Sequence, residues 1–373
     1  MKAAEDSRTP RRWRVVSRAI PFARFWSAAV LCRFKLPWYM PHGGTITRTV
    51  FFVLLGSMLC ARAAERLRIV RPMEYPGLRD ASAAVPVSSN LFIVADDENN
   101  TLRLYSTDHA GPPLKEFNFD SFLEVARKSP EADLEGAALL GNRAFWIGSH
   151  GRNKDGKERP NRHRLFATDV AITNGEVTLT PVGKPCKRLL DDLVRDSRFA
   201  EFRLAEASSR APKEPDALNI EGLSATPEGH LLLGFRNPTP HGKALLIPLL
   251  NPNEVIEGKP ARFDAAILLD LDGLGIRDMA YFDGAYFIIA GPWHAGGKFQ
   301  FYRWTGGDSA PQKFEVRHLG DYNPEAIVIY PQTGFHDIQI LSDDGNRAVN
   351  GVPGKELGDS APKMFRSFWL TDR

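Results

Sequence analysis

Cysteine is almost absent: three residues in 373, at positions 32, 60 and 186. The first two fall in or before an N-terminal export signal, so the mature chain keeps only Cys186. No internal disulfide can then form, and the fold depends on its apolar core. No Cys/His pair has the spacing of a zinc site. Long apolar runs are missing too. The longest candidate, VFFVLLGSML at 50–59, has ten residues, too few to span a bilayer. Excess positive charge is missing from the part that folds. The nominal charge is +3, but residues 1–39 hold nine Lys/Arg against two Asp/Glu, and Arg48 and Arg62 add two more. Residues 64–373 are left at about −6, which excludes a basic nucleic-acid footprint. A nucleophile elbow, a phosphate loop and a Ser/His/Asp signature are absent as well.

The order of features around the apolar run is that of a secretory signal peptide: Arg48 before it and Ala61-Arg62-Ala63 after it. A signal over 40–63, starting at Met40, makes residues 1–39 an Arg-rich extension from a start site assigned too early. Residues 64–373 are then the mature protein, secreted or periplasmic, with no transmembrane segment. Competing readings are a lipid anchor at Cys60 and twin-arginine export through Arg11-Arg12.

A short unit recurs five times: a carboxylate, usually a small residue, an apolar strand, a turn, and a second apolar strand ending in a small residue. The carboxylates are Asp80 (LRDASA), Glu135 (DLEGAA), Glu221 (NIEGLS), Asp278 (IRDMAY) and Glu325 (NPEAIV). The second strands end at Ala95, Gly148, Gly234, Ala290 and Ser342, so the separations are 15, 13, 13, 12 and 17 residues. Third strands follow as TLRLYS (101–106), RLFATD (164–169), ALLIPL (244–249), FQFYRW (299–304) and FRSFWL (365–370). Their aromatic and β-branched content between Gly/Asn/Asp/Pro turns is strand chemistry. Four units add a fourth strand at 114–119, 176–181, 265–270 and 313–318. The fifth unit ends without one, and LRIVR (67–71) is a spare strand ahead of the first.

Joining these two loose ends closes a ring. The fold predicted is therefore all-β, a single β-propeller over 64–373 with five four-stranded blades closed by the N-terminal strand. A sixth blade within the long insert is the alternative. That insert, 184–216, is charged and helix-patterned, with Leu189, Leu190, Leu193 and Val194 on one face. A shorter helix is expected over 119–127.

In a propeller the first strand of each blade lines the channel, which places the five carboxylates at one mouth. The loops after the second strands return to that mouth. They carry Asp96, Asp97 and Glu98 in the first unit, and His150, Arg152 and Lys154 in the second. Arg236, His241 and Lys243 follow in the third, and Trp293, His294 and Lys298 in the fourth. The fifth brings Asp343, Asp344 and Arg347. Converging carboxylates repel unless a cation, a proton or a hydrogen-bond donor compensates them. Oxygen-only donors favour calcium, and Asp80, Glu135, Glu221, Asp278 and Glu325 are the candidate ligands. Backbone N–H groups of the neighbouring blade could satisfy the same acids with no metal. His150, Arg152, Arg236, His241, His294 and Lys298 form a candidate arc for an anionic group. No catalytic residue stands out.

At DLEGAA, NIEGLS and NPEAIV, and at the strand ends WIGSHG and GFRNP, the chain resembles a family of secreted bacterial proteins known as a domain of unknown function. That family is distantly similar to phytase-like and esterase-like propellers. The resemblance covers nearly all of 75–371. It implies acids at the mouth that bind calcium (Glu135, Glu221 and Glu325) and basic residues that hold phosphate (Arg152, Arg236 and Lys298). Asp80 and Asp278 depart from the pattern by lacking the following glycine. Two functions follow as expectations. One is a metal-assisted hydrolase or binder of a small anionic, phosphoester-like ligand. The other is a non-catalytic periplasmic propeller that binds a ligand or a protein partner. A monomer is expected in either case.

Overall fold

The computed structural model describes residues 65–294, 296–349, 351–357 and 361–373. The export signal and the N-terminal extension lie outside the described residues. Strand β1 (Arg66–Pro76) comes first. The first unit supplies β2 (Ala81–Pro86), β3 (Leu91–Asp96), β4 (Asn99–Ser106) and β5 (Lys115–Asn118). The second supplies β6 (Leu134–Leu140), β7 (Arg143–Gly148), β8 (Leu165–Thr173) and β9 (Glu176–Cys186). In the third these are β10 (Asn219–Ala225), β11 (Leu231–Asn237), β12 (Ala244–Leu249) and β13 (Ile267–Leu269). The fourth has β14 (Gly275–Phe282), β15 (Ala285–Gly291), β16 (Gln300–Trp304) and β17 (Gln312–Val316). The fifth has β18 (Pro324–Ile329), β19 (Asp337–Ser342), the short pair β20 (Ala348–Val349) and β21 (Val352–Pro353), and β22 (Met364–Thr371).

Units one to three are antiparallel four-stranded sheets in chain order. The remaining large sheet has eight strands, in the order β14-β15-β16-β17-β1-β22-β19-β18. Its two halves meet where β1 runs parallel to β17 over two residue pairs, Arg66 with Glu315 and Leu67 with Val316. The N-terminal strand thus supplies the outer strand of the fifth unit, paired antiparallel with β22 from Arg68–Thr371 to Pro76–Met364.

The inner strands are cyclic neighbours: β2 packs beside β6, β6 beside β10, β10 beside β14, β14 beside β18, and β18 beside β2. The apolar core follows the same cycle. One cluster joins units one and two around Trp146 and Phe166, and the next joins two and three around Phe145, Leu233 and Phe235. Further clusters join three to four, four to five, and five back to one. This cyclic packing of radial sheets defines a β-propeller. It also explains the uninterrupted apolar runs at LLLGF and FIIA. A middle strand is covered on both faces by its neighbouring units, so it carries no polar alternation. The outer strands keep one wet face, as in β9, where Val177 and Leu179 are buried between more exposed neighbours.

The insert after β9 forms the helix Leu189–Arg195, a 3₁₀ segment Ser197–Phe202 and the turn Leu204–Ala207. Leu189, Leu193, Phe199 and Leu204 seal the core between units two and three. The helix expected over 119–127 is only Asp120–Leu123. It has no side-chain N-cap and stops at Glu124, whose φ of 51° is left-handed. Among the described residues no helix is long and apolar enough to cross a membrane.

Candidate functional site

Every inner strand carries a β-bulge near its start, where one residue is skipped in the pairing with the second strand. The skipped residues are Ser82, Glu135, Glu221, Arg277 and Glu325. A bulge turns its residue out of the ladder and re-aims the side chain, so these five side chains occupy equivalent places around the channel. The sequence placed Asp80 and Asp278 in this ring, and the bulges correct both. Asp80 stands two residues before the bulge of its strand, and Asp278 one residue after. Asp278 instead accepts from its own neighbour Met279 N at 2.8 Å and from Ile327 N of β18 at 2.7 Å. It pins one inner strand to the next by backbone hydrogen bonds. In the second and third units the residue after the bulge is glycine because the strands approach closely. A Cβ on Gly136 would lie 2.7 Å from Glu221 O, and one on Gly222 2.4 Å from Ile276 Cγ2.

The arginine in the ring compensates two of its acids. Arg277 Nε lies 2.9 Å from Glu325 Oε2 and 3.0 Å from Glu221 Oε2, and its Nη2 pairs with Glu325 Oε1. Burial and nearby Arg236 push its pKa down to about 10. Two asparagines placed two residues before the bulges add donors. Asn219 Nδ2 donates to Glu221 Oε1 at 2.8 Å, and Asn323 Nδ2 to Glu325 Oε1 at 3.0 Å. Arg236 Nη1 completes the third unit with a 2.7 Å bond to Glu221 Oε1. The cation expected to be shared by Glu135, Glu221 and Glu325 is therefore not what joins these acids. A guanidinium stands between the last two.

Glu135 stands apart from this network. Among the described residues no hydrogen-bond donor or ion-pair partner reaches its carboxylate. The residue two before it is Asp133, which cannot donate when ionised, and Asp133, Glu135 and Asp97 bring carboxylate oxygens within 4.8 Å of one another. Burial first, then repulsion from Glu221, Asp133 and Asp97, holds the Glu135 carboxyl well above the usual range. Asp133 is raised to about 6, by burial above all, against the attraction of Arg162. Arg162 bonds Asp133 at 2.8 Å and Glu131 at 2.6 Å. A second triplet, Asp80, Asp97 and Glu98, shares Asp97 with the first. All five carboxylates come from units one and two. Their all-oxygen donor set suits a hard cation.

The anticipated basic arc is dispersed. Arg152 donates from Nε to Ser208 O at 2.9 Å and from Nη1 to Gly156 O at 3.1 Å, so it braces the insert. Arg236 is committed to Glu221 and to Pro292 O at 3.1 Å. His150 is buried beneath its loop, its Nδ1 hydrogen-bonded to Gly148 O at 2.8 Å and its ring stacked 5.5 Å from His163. Burial, then the His163 ring, pushes its pKa down to about 3, so it is neutral at neutral pH and brings no charge to an anion. His241 is exposed on a left-handed turn, and His294 is exposed beside Trp293, ring centroids 5.0 Å apart. Lys298 is exposed on the rim beside a separate cavity. The sequence reading missed Arg277, Asp133, Asn219 and Asn323. A visible signal existed: N-x-E occurs at 219–221 and 323–325, while 133–135 reads D-x-E.

The chain belongs to the family described as "protein of unknown function (DUF3616)", which matches residues 80–171 and 172–330. No curated protein matches it. Similar solved structures include glutaminyl cyclase from Myxococcus xanthus, at 13% identity and TM-score 0.42, covering 83% of this chain and 99% of that one. Another is a putative oxidoreductase (glucose dehydrogenase) from Thermus thermophilus, at 12% identity and TM-score 0.40, covering 80% and 99%. A third is a gluconolactonase from Xanthomonas campestris, at 13% identity and TM-score 0.35, covering 76% and 84%. These similarities are too remote to carry any chemistry across.

Proposed function

We propose that the protein is an exported, five-bladed propeller that binds one hard divalent cation, calcium by preference, at the channel mouth. Asp97, Asp133 and Glu135 would hold it, with Asp80 and Glu98 at its edge. Five cyclically packed units, with the insert packed on one interface, support five blades over six. One observation carries the cation reading. Glu135 sits in a ring where its equivalents, Glu221 and Glu325, each receive an arginine and an asparagine, and it receives neither. Its carboxylate lies with those of Asp97 and Asp133, oxygens within 4.8 Å of one another, and a proton or a cation there would relieve their repulsion.

The cation would present open coordination positions to a small anionic ligand. Arg152 and Arg236 are already engaged, so the ligand's charge would be met mainly by the metal. If the ligand is a phosphoester, a bound cation supplies Lewis-acid polarisation of its oxygen. Elemental analysis and calcium titration of residues 64–373 test the proposal. The expected result is one calcium per chain, with a melting temperature that climbs as the logarithm of calcium concentration. An unchanged melting temperature at millimolar calcium would overturn it. Turnover of a phosphomonoester in calcium, absent in chelator, would select the hydrolase over the purely ligand-binding propeller.

A further inference from the structure

A cavity of about 400 Å³ lies between the outer strands of the fourth unit, β16 and β17, and the segment that leads into β18. Its walls are aromatic: Phe299, Phe301, Phe314 and Tyr322, with Lys298 and Gln300 at its polar edge. The Tyr322 ring is fixed from behind, 4.4 Å from the Arg366 guanidinium and 4.6 Å from the Phe368 ring. Phe299 lies 5.7 Å under the Arg277 guanidinium, so two rigid ion-paired arginines back the walls. Val316, also in the wall, is the residue that pairs with Leu67 of β1. The cavity is thus a product of the seam where the ring closes.

Three polar groups face this space without a partner among the described residues. Lys298 forms no ion pair, and neither the Gln300 amide nor the Tyr322 hydroxyl hydrogen-bonds another described side chain. A pocket of this volume, with mixed aromatic and polar lining, has room for a small molecule. Its single unmatched charge is positive, and an ammonium on an otherwise apolar wall selects an anion through a charge-assisted bond. We infer that this cavity binds a small aromatic carboxylate. Its ring stacks against Phe299 and Tyr322, its acid pairs with Lys298, and a ring hydroxyl reaches Gln300 or the Tyr322 hydroxyl. The site is separate from the acidic mouth and does not depend on a cation.

Binding of 4-hydroxyphenylacetate and of its primary amide, measured by ligand-observed NMR and calorimetry in calcium-free buffer with chelator, tests the inference. The acid is expected to bind at least tenfold more tightly than the amide. Lys298→Met should remove that preference, and Tyr322→Phe should weaken the acid two- to fivefold. Lys298 is exposed, so its replacement leaves the fold intact. Absence of acid binding, equal binding of acid and amide, or an unchanged preference in Lys298→Met would each overturn the inference. Loss of binding in Glu135→Gln would also overturn it, by moving the ligand to the channel mouth.

Discussion

The second unit and the third place a glutamate at the same bulge of the same inner strand, yet they treat its charge in opposite ways: Glu221 is buried and Glu135 only half-buried. In the third, Asn219 two residues earlier donates to Glu221, and Arg236 and Arg277 flank the carboxylate. In the second, the equivalent of Asn219 is Asp133, and among the described residues no arginine pairs with Glu135. Among the described residues, one glutamate is therefore held by protein donors and the other, Glu135, has none. A buried ion-pair network is a poor route to stability but a reliable way to fix geometry. A deficit of positive charge is costly to keep, and it makes sense where something binds. Among the described residues, Glu221 and Glu325 are tied into the scaffold, and the proposed cation would sit at the first-to-second-unit arc.

The largest effect should come from removing the cation that completes the closed side. Arg277→Met leaves Glu221 and Glu325 buried without their shared guanidinium, and breaking a buried pair typically costs about 3–5 kcal/mol. Thermal and denaturant unfolding should show that loss, with partial recovery at low pH as the two glutamates protonate. Near-wild-type stability would mean that the asparagines suffice and that the two sides differ less than the geometry indicates. A smaller loss, about 1–3 kcal/mol, is expected from Asn219→Asp. It converts N-x-E to D-x-E and replaces a donor with a second buried acid. Its stability should rise as pH falls, and a variant that tracks the wild type across pH would break the analogy between the units.

Much of the fold was legible because the propeller repeats its chemistry. Apolar runs ending in a small residue mark the middle strands, and LRIVR marks a strand with no partner nearby in sequence. The structure extends that strand to Arg66–Pro76 and pairs it with β22. The bulges were not legible. A carboxylate followed by a small residue can be aligned by eye, but the skipped residue depends on pairing with the next strand. So Asp80 and Asp278 entered the ring in place of Ser82 and Arg277. Shifting the fourth unit by one residue exchanges an acid for a base and inverts the electrostatics of half the channel. The basic arc failed for a related reason. Loop position says which residues return to the mouth, but not that Arg152 turns to the insert, Arg236 to Glu221, or His150 inward.

The smallest effect, and the sharpest test of the comparison, is Asp133→Asn, which gives the second unit the N-x-E pattern of the third. Asp133 has its pKa raised from 3.8 to about 6, by burial first. A carboxyl raised in the folded state binds its proton more tightly there than in the unfolded chain. Its contribution to stability is therefore greatest below pH 4, falls as pH rises from about 4 to 6, and stays low above that. Without calcium, the wild-type melting temperature should decline across this window. The substituted amide does not titrate, and it can donate to Glu135 as Asn219 does to Glu221. The variant should therefore have a flatter profile, and because the new donor to Glu135 is set against the lost charge partner of Arg162, its stability at pH 7 should stay within about 1 kcal/mol of the wild type. At the proposed site calcium would replace the proton in the wild type, so it should raise the melting temperature more at pH 7 than at pH 5. In the variant that calcium response should be lost, because the donor set drops an oxygen charge and gains an N–H. A calcium response that survives Asp133→Asn undiminished would place the cation elsewhere. A pH profile unchanged by the substitution would mean that Asp133 is not the group that titrates.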